Sequence, residues 1–333
     1  MRRVSVAEIM QETGLSRATV DRVLNQRGRV HPRTRAVVDA TLQRLTAPET
    51  VVKPTAPRAD IALRVGRGMM AQMRQAAAAT GVQGVFEDLH LASEDAVVSR
   101  VEALCQDVET PLIITAKNSD RLVAVLRAAR ARGKRIVAAV SDLAPEARDC
   151  YVSIDNRAAG QTAAFLIGSA LGDRPTTVGF VLGDMAFRCH EDREIGFRTG
   201  LRAHFPKVIL SGEAQGEDSR DITRDAVLRM LKAHPAMGAI YNAGGGNAGL
   251  MEALRIAERT ADILVVGHEV NTATVPLLRS GGMDFAIAGN PVALLAEALR
   301  CANPTESVPM RENVRLDFSV YTRFNLPDFS TPQ

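Results

Sequence analysis

Residues 14–25 read Gly-Leu-Ser-Arg-Ala-Thr-Val-Asp-Arg-Val-Leu-Asn, and this stretch predicts how the first part of the chain folds. Gly14 can take a positive φ at little cost and so turn the chain sharply. Ser16 is suited to cap a helix whose buried face holds Val20 and Val23. The opposite face of that helix is polar and basic. The pattern therefore predicts the second helix of a helix-turn-helix.

The flanking sequence supplies two further helices. Ser5-Val6-Ala7-Glu8 is typical of a capping box, which opens a first helix that ends near Thr13. The stretch from Pro32 to Leu45 predicts a third helix, which is expected because two short helices alone bury too little surface. The alternative is a small helical hairpin whose arginines are only solvated.

Charge is distributed unevenly along the chain. Residues 1–45 hold nine arginines and four acidic residues, a net charge of +5. The whole chain carries +3, so the remaining residues carry −2. A basic module beside a nearly neutral body is typical of a protein that binds nucleic acid.

Length and composition bound the class of protein. The chain has 333 residues, of which 46% are hydrophobic and 24% charged, which suits a small module joined to a two-lobed soluble body. It has no apolar run of about 18 residues, so we expect no membrane span. Met1-Arg2-Arg3 leads into the first helix without an apolar signal core, which predicts a cytoplasmic protein. The four cysteines lack metal or redox spacing, which favours reduced thiols.

Residues 46–60 predict an extended linker, because they contain three prolines and no helical periodicity. From residue 61, ten short apolar runs alternate with helical stretches. This alternation predicts parallel sheets with both faces covered. Ten strands are too many for one small sheet, so we expect two Rossmann-like lobes over residues 61–333, with the chain crossing between them near 156 and 285.

Polar residues gather where the predicted strands end. Ligands on parallel sheets bind outside the carboxyl ends of the strands. Any one of these residues alone could be a turn residue or a helix cap, but together they predict a shared pocket. Phe187 or Met69 could supply its apolar wall, with core packing as the alternative. The candidates at strand ends are Asp142, Asp155, Asn242 and Glu269, and Arg193 precedes a predicted helix.

The first 45 residues resemble the headpiece of the lactose-repressor (LacI-type) family of bacterial transcription regulators. The resemblance implies that the second helix lies in the DNA major groove, where arginine can bond guanine through two donors. It implies that Arg17, Ala18 and Arg22 face base edges. It also implies that Ser16, Thr19 and Asn25 hold phosphates. The matching residues are Val4–Ile9, Gly14–Ser16, Thr19–Asn25 and Thr34-Arg35.

The rest of the chain resembles the periplasmic-binding-protein-like sugar-binding domain of the same family. The resemblance implies a cleft lined by Asp142, Asp155, Arg193, Asn242 and Glu269, with Asn290 as a further contact. Carboxylates would accept from sugar hydroxyls, while arginine and asparagine would donate. The matching stretches are Ser141-Asp142, Ser153–Asn156, Arg193–Phe197, Tyr241–Asn247, Val266–Glu269 and Asn290-Pro291.

The sequence supports a leading functional hypothesis and two alternatives. The leading hypothesis is a DNA-binding transcription regulator, a repressor, that acts as a homodimer on operator DNA and responds to a sugar or polyol effector. The alternative is a solute-binding protein of a sugar transporter. A sugar-modifying enzyme would need a catalytic dyad or nucleotide site. Gly244-Gly245-Gly246 lacks the Lys-Ser/Thr ending of a P-loop, and the histidines lack metal-ligand spacing, so we expect no enzyme activity, metal or cofactor.

Overall fold

The computed structural model describes residues 5–25, 30–46, 56–172, 175–184, 186–305 and 311–327. The chain divides into two compact units, Met1–Thr55 and Ala56–Gln333. Residues 47–55, which make up most of the predicted linker, lie outside the described ranges. No helix within these ranges is both long enough and apolar enough to cross a bilayer.

The first unit is a bundle of three helices: α1 (Val6–Thr13), α2 (Arg17–Leu24) and α3 (Pro32–Thr46). Gly14, with φ of 66°, turns the chain between α1 and α2. The three helices meet through one small apolar core, because each contributes a side chain that is almost fully buried. These side chains are Ile9, Val20, Val23 and Val38.

The second unit begins with a lobe of alternating strands and helices, lobe 1. Its strands β1, β3 and β4 are buried along their whole length, as expected for parallel strands covered on both faces. In chain order the elements are β1 (Asp60–Leu63), α4 (Arg67–Thr80), β2 (Phe86–Asp88), α5 (Glu94–Leu104), β3 (Leu112–Thr115), α6 (Asp120–Ala131), β4 (Ile136–Ala139) and β5 (Cys150–Ile154).

The chain then builds a second lobe of the same kind, lobe 2. Its elements are α7 (Asn156–Leu171), β6 (Thr176–Leu182), α8 (Arg188–His204), β7 (Val208–Gln215), α9 (Arg220–Ala233), β8 (Met237–Asn242), α10 (Asn247–Ile256), β9 (Leu264–His268), α11 (Thr274–Arg279) and β10 (Phe285–Gly289). The last three elements are α12 (Pro291–Ala302), β11 (Asn313–Leu316) and β12 (Phe318–Tyr321).

The two sheets have the same strand order but differ in the direction of one edge strand. The lobe 1 sheet has the order β11-β5-β4-β3-β1-β2 and is parallel throughout, while the lobe 2 sheet has the order β12-β10-β9-β8-β6-β7. Of the strands that the structure describes, only β12 runs antiparallel to its neighbour, β10. The chain passes between the lobes after β5, between β10 and α12, and at Asp317. The two-lobed α/β architecture predicted from the sequence is confirmed for this unit.

Candidate functional site

A cavity of about 130 Å³ lies between the two lobes, at the carboxyl ends of their strands. One buried water needs only about 10–15 Å³, so the cavity suits a ligand much larger than water. The residues that follow β1, β4, β8 and β9 all reach it. Its polar and charged lining includes Arg64, Gln72, Ser141, His190, Arg193, Asp218, Glu269 and Asn290.

The lobes touch each other across this cavity. The side-chain amide of Gln72, on α4, donates to the backbone oxygen of Val270 at 3.0 Å. The backbone N–H of Asn118 donates to Ala186 at 3.3 Å. A Cβ at Gly68 would lie 2.2 Å from the Asn271 side chain, so only glycine allows this close approach. The structure is therefore that of a closed cleft.

Arg193 lines the cavity and is held from two sides. Its Nε donates to Oδ1 of Asn156 at 2.9 Å, and Nη1 donates to the backbone oxygen of Ala243 at 2.7 Å. Helices α7 and α8 must approach closely for this contact. A Cβ at Gly160 would lie 2.1 Å from the backbone oxygen of Arg193, and one at Gly196 would meet the α7 backbone equally closely. The two glycines thus position the arginine.

Glu269 follows β9 and also lines the cavity. Its φ of 69° is unusual for a residue with a side chain, and such conformations cluster at functional sites. The carboxylate accepts a hydrogen bond from the Asn271 amide at 2.9 Å. Burial raises the pKa of Glu269 to about 7, although the positive charge of Arg193 opposes the rise. The residue can therefore both accept and donate hydrogen bonds near neutral pH.

His190 and Asp218 form a second polar group on the lobe 2 side. His190 Nδ1 donates to the backbone oxygen of Asp184 at 3.0 Å, and Asp218 Oδ1 accepts from the Gly245 N–H at 2.6 Å. Burial disfavours the charged imidazole, but the neighbouring Cys189 and Asp218 outweigh it and raise the pKa of His190 to about 9. This group presents both a donor and an acceptor to a ligand.

The remaining wall of the cavity is apolar. Met69, Phe187 and Leu294 line it. The sequence predicts such an apolar wall from Phe187 or Met69, with core packing as the alternative. Asn290 lies at the start of α12, where its Oδ1 accepts from the N–H groups of Val292 and Ala293 at 2.9 and 3.2 Å. This leaves its amide N–H groups to donate to a ligand. An apolar wall with a few convergent polar groups is typical of a small-molecule site.

Two carboxylates predicted for the cleft lie outside it. Both oxygens of Asp142 accept from Arg148, at 2.6 and 2.9 Å. Asp155 caps α7 by accepting from the Ala158 N–H at 2.9 Å, and it pairs with Arg315 at 3.2 Å. Neither residue lines the cavity. The sequence predicts both in the cleft lining, whereas in the structure their oxygens bind Arg148, Arg315 and the start of α7.

Asn242 is fully buried beneath the cavity rather than on its surface. Its amide donates to the backbone oxygen of Gly245 and to Oδ1 of Asn247, both at 2.8 Å, and its own oxygen accepts from Gly244. With its hydrogen bonds used in this way, Asn242 shapes the glycine loop that forms one wall. This corrects its expected place in the cleft lining.

The structure adds lining residues that the sequence argument did not select. Arg64 follows β1 directly, so the strand-end signal that selected Glu269 would have found it as well. Asp218 lies in the loop after β7 at a φ of 56°, and no sequence pattern marks it. Gln72 lies on the inner face of α4, where it resembles any other polar helix residue. The described residues contain no group of three side chains able to hold a metal ion.

The residues predicted to contact DNA lie on the first unit. Arg17, Ala18, Arg22 and Asn25 are exposed, as is Ser16, and Thr19 is partly buried. The hydroxyl groups of Ser16 and Thr19 lie 2.9 Å apart, and the Asn25 amide donates to the backbone of its own helix at 2.9 Å.

Comparison with known proteins identifies sugar-binding relatives. The chain is 27% identical over 154 residues to the D-allose-binding periplasmic protein of Escherichia coli (strain K12), which is 46% of this chain and 49% of that protein. The chain thus matches about half the length of this curated relative.

Two solved structures show the same fold. One is an ABC transporter solute-binding protein from Burkholderia graminis C4D1M in complex with D-arabinose, with a TM-score of 0.72, 19% identity, and coverage of 83% of this chain and 99% of that one. The other is an ABC transporter periplasmic solute-binding protein from Actinobacillus succinogenes 130z with bound D-allose. Its TM-score is 0.70 at 18% identity, over 80% of this chain and 98% of that one.

These findings correct the leading functional hypothesis. We expected a DNA-binding transcription repressor with operator DNA as its partner, and that expectation is wrong, because the similar proteins are sugar-binding proteins of transporters. The findings support the alternative, a solute-binding protein.

The family itself is shown by a match over most of the second unit. The family model described as a periplasmic binding protein domain matches residues 64–303. This match and the periplasmic relatives overturn the expected cytoplasmic location. The family is one of binding proteins rather than enzymes. With two α/β lobes closed on a polar cavity, the chain belongs to the periplasmic binding protein domain family.

Proposed function

We propose that the chain is a solute-binding protein that closes its two lobes on one monosaccharide and presents it to a transporter of the ABC class, in the periplasm or outside the cell. The observation that carries the proposal is the cavity between the lobes, which Arg193 and Glu269 line together with an apolar wall. The sugars in the complexes of its structural relatives, D-arabinose and D-allose, support it.

Sugar recognition follows from the chemistry of the lining. The guanidinium of Arg193 and the amide of Asn290 are donors, and they suit ring and hydroxyl oxygens. The carboxyl groups of Asp218 and Glu269 accept from hydroxyl groups, and hydrogen bonds to charged groups are the stronger ones. Phe187 offers an apolar surface to the C–H face of a sugar ring.

Ligand binding would act through closure of the cleft. The three crossings between the lobes form the connection about which they can rotate. A sugar that contacts both lobes favours the closed state, since it binds that state better than the open one. Contacts such as Gln72 to Val270 would form on closure. The protein then binds and releases its ligand without chemical turnover.

We propose supporting roles for the three predicted residues outside the cavity. Asp142 anchors Arg148, and Asp155 starts the helix that carries Asn156, the partner of Arg193. Asn242 holds the glycine loop. Replacing any of them would therefore weaken sugar binding through displaced neighbours.

The proposal assigns sugar binding to the second unit and not to the first. We propose that the first unit is a helix-turn-helix in fold, that residues 46–60 contain the linker, and that the second unit is the binding body. The sugar cavity draws all its lining from the second unit. Limited proteolysis of the full chain should therefore cut within 46–60 and leave a body with unchanged sugar affinity.

Calorimetric titration of the full chain with a panel of neutral and acidic monosaccharides tests the function. We expect saturable binding of at least one sugar at a stoichiometry of one. Arg193→Ala should weaken it about 10- to 100-fold, because a hydrogen bond to a charged group contributes about 1.5–3 kcal/mol. Arg202→Ala is the matched control, since Arg202 is exposed on the same helix and does not line the cavity.

The absence of binding across the whole panel would contradict the proposal. Unchanged affinity in Arg193→Ala would show that the sugar binds elsewhere. A thermal melt of each variant without sugar separates lost binding from lost folding.

A further inference from the structure

We infer that the sugar bound in the cavity carries one anionic group, a carboxylate or a phosphate, which neutralises Arg64 and Arg193. This inference rests on the proposed function and narrows its ligand class. It begins from the observation that Arg64 and Arg193 line the cavity without forming a salt bridge.

Neither arginine of the cavity forms a salt bridge with a carboxylate of the described residues, although the charges of Asp184 and Glu269 interact with them. Among the residues that the structure describes, Arg193 donates only to neutral acceptors, and the guanidinium of Arg64 makes no hydrogen bond or ion pair. Arg148 is buried more deeply than either and pairs with Asp142 at 2.6 Å. Arg64 and Arg193 are partly buried, so each loses part of its hydration without a salt bridge, and a ligand anion would offset that cost.

The carboxylates near the cavity are committed to other cations. Asp184, whose charge interacts with that of Arg64, pairs with Lys117. Two more acidic residues near Arg193 already form salt bridges with other arginines, so they are not available as its counter-ion. The pairs are Asp155 with Arg315 and Asp192 with Arg157, at 3.2 and 2.8 Å.

The two carboxyl groups of the cavity itself do not neutralise both arginines. Asp218 accepts from Gly245 and faces His190: a Cβ on Gly183 would lie within 2.6 Å of both side chains. Burial raises the pKa of Glu269 to about 7, which favours its neutral form and weakens it as a counter-ion. The two arginines of the cavity therefore outnumber its ionised carboxylates.

The chemistry of these groups fits an anionic sugar better than a neutral one. The planar guanidinium fork matches a carboxylate or phosphate through two parallel hydrogen bonds. Gly66, at the start of α4, also lines the cavity, and the amino end of that helix adds partial positive charge. The carboxyl groups and Asn290 remain to bind the hydroxyl groups.

Matched pairs of sugars test the inference on the full chain by calorimetric titration. The pairs are D-galactose with D-galacturonate, D-glucose with D-glucuronate, and D-glucose with D-glucose 6-phosphate. We expect at least one anionic member to bind about tenfold or more tightly than its neutral partner. The uronate and phosphate arms identify which anion the site prefers.

Neutral sugars that bind as tightly as their anionic partners would overturn this inference and leave the proposed function standing. If no sugar of either kind binds, the proposed function fails as well. The two failures are therefore distinguishable in one data set.

Two variants locate the effect. Arg64→Gln should reduce affinity for the anionic sugar about tenfold or more and lower its preference over the neutral partner. Arg67→Gln removes the same charge from the exposed start of α4, outside this cavity, and should leave the preference unchanged. Equal losses for both members of a pair in Arg64→Gln would overturn the assignment. Should that variant fold poorly, Arg64→Lys keeps the charge but lacks the planar fork, and it should reduce the preference for the anionic partner without abolishing it.

Discussion

Substituting Gly196 with alanine tests how the helices position the site. A Cβ built at Gly196 lies 2.1 Å from the backbone oxygen of Arg157, on α7. Non-bonded heavy atoms prefer separations of about 3.5–4.0 Å, so α7 and α8 must move apart by about 1 Å or more. The clash is between the added Cβ and a backbone oxygen, so no side-chain rotation relieves it.

The cost has a structural part and a functional part. Overpacking of this kind destabilises by about 1–3 kcal/mol, which lowers the melting temperature by about 2–12 °C in a body of this size. Arg193 lies one turn before Gly196, and its 2.9 Å bond to Asn156 spans the two helices. A shift of about 1 Å breaks that bond, so sugar affinity should fall about tenfold or more.

Urea denaturation measures the first effect and calorimetric titration with the best sugar of the panel measures the second. Gly282→Ala is the control, because a Cβ there meets only the end of the Met251 side chain at 2.9 Å and lies away from the cavity. Wild-type stability together with wild-type affinity in Gly196→Ala would refute the reasoning that this helix contact positions Arg193.

Three further outcomes follow from single side chains. Because folding raises the pKa of Glu269 from its ordinary value of 4.5 to about 7, the stability it contributes is complete below pH 4.5 and is lost as pH rises to 7. The loss is at most about 3.4 kcal/mol and is reduced by water in the cavity; Glu269→Gln should remove this pH dependence in urea titrations at pH 4.5 and 8. Tyr241→Phe removes the hydroxyl 2.7 Å from buried His268 and should cost about 1–3 kcal/mol in thermal or urea unfolding. Arg148→Met breaks a buried ion pair and should cost about 3–5 kcal/mol, whereas Arg121→Met removes an exposed pair and should leave the free energy of unfolding nearly unchanged.

The main strands could be read from the sequence because parallel strands buried on both faces form continuous apolar runs. The sequence predicts ten strands, and the described residues contain twelve. Polar and apolar residues mix in the edge strands β11 and β12, which therefore lack a continuous apolar run: β11 reads Asn-Val-Arg-Leu. The helix α11 contains Pro276 and spans only six residues, too few to show a helical period.

Strand ends indicate where a ligand could bind but not which side chains are available to it. Of the residues selected from the sequence, Arg193, Glu269 and Asn290 line the cavity. Asp142 follows a strand in the same way, yet Arg148 uses both of its oxygens. Whether a carboxylate is available depends on partners that only the folded chain brings close.

The function was predicted wrongly because the basic stretch of residues 1–45 was given decisive weight. Net charge describes the field around a surface and does not by itself identify a partner. The polar residues at the strand ends of residues 61–333 were the better guide to function. They predicted the cavity between the lobes, which fits the solute-binding alternative.

A crystal structure of the full chain with its tightest-binding monosaccharide tests the central claim most directly. We predict one sugar molecule between the lobes, with its oxygens within hydrogen-bond distance of Arg193 and Glu269 and one ring face against Phe187. A sugar bound outside this cavity, or a cleft whose lining does not touch the ligand, would contradict the account.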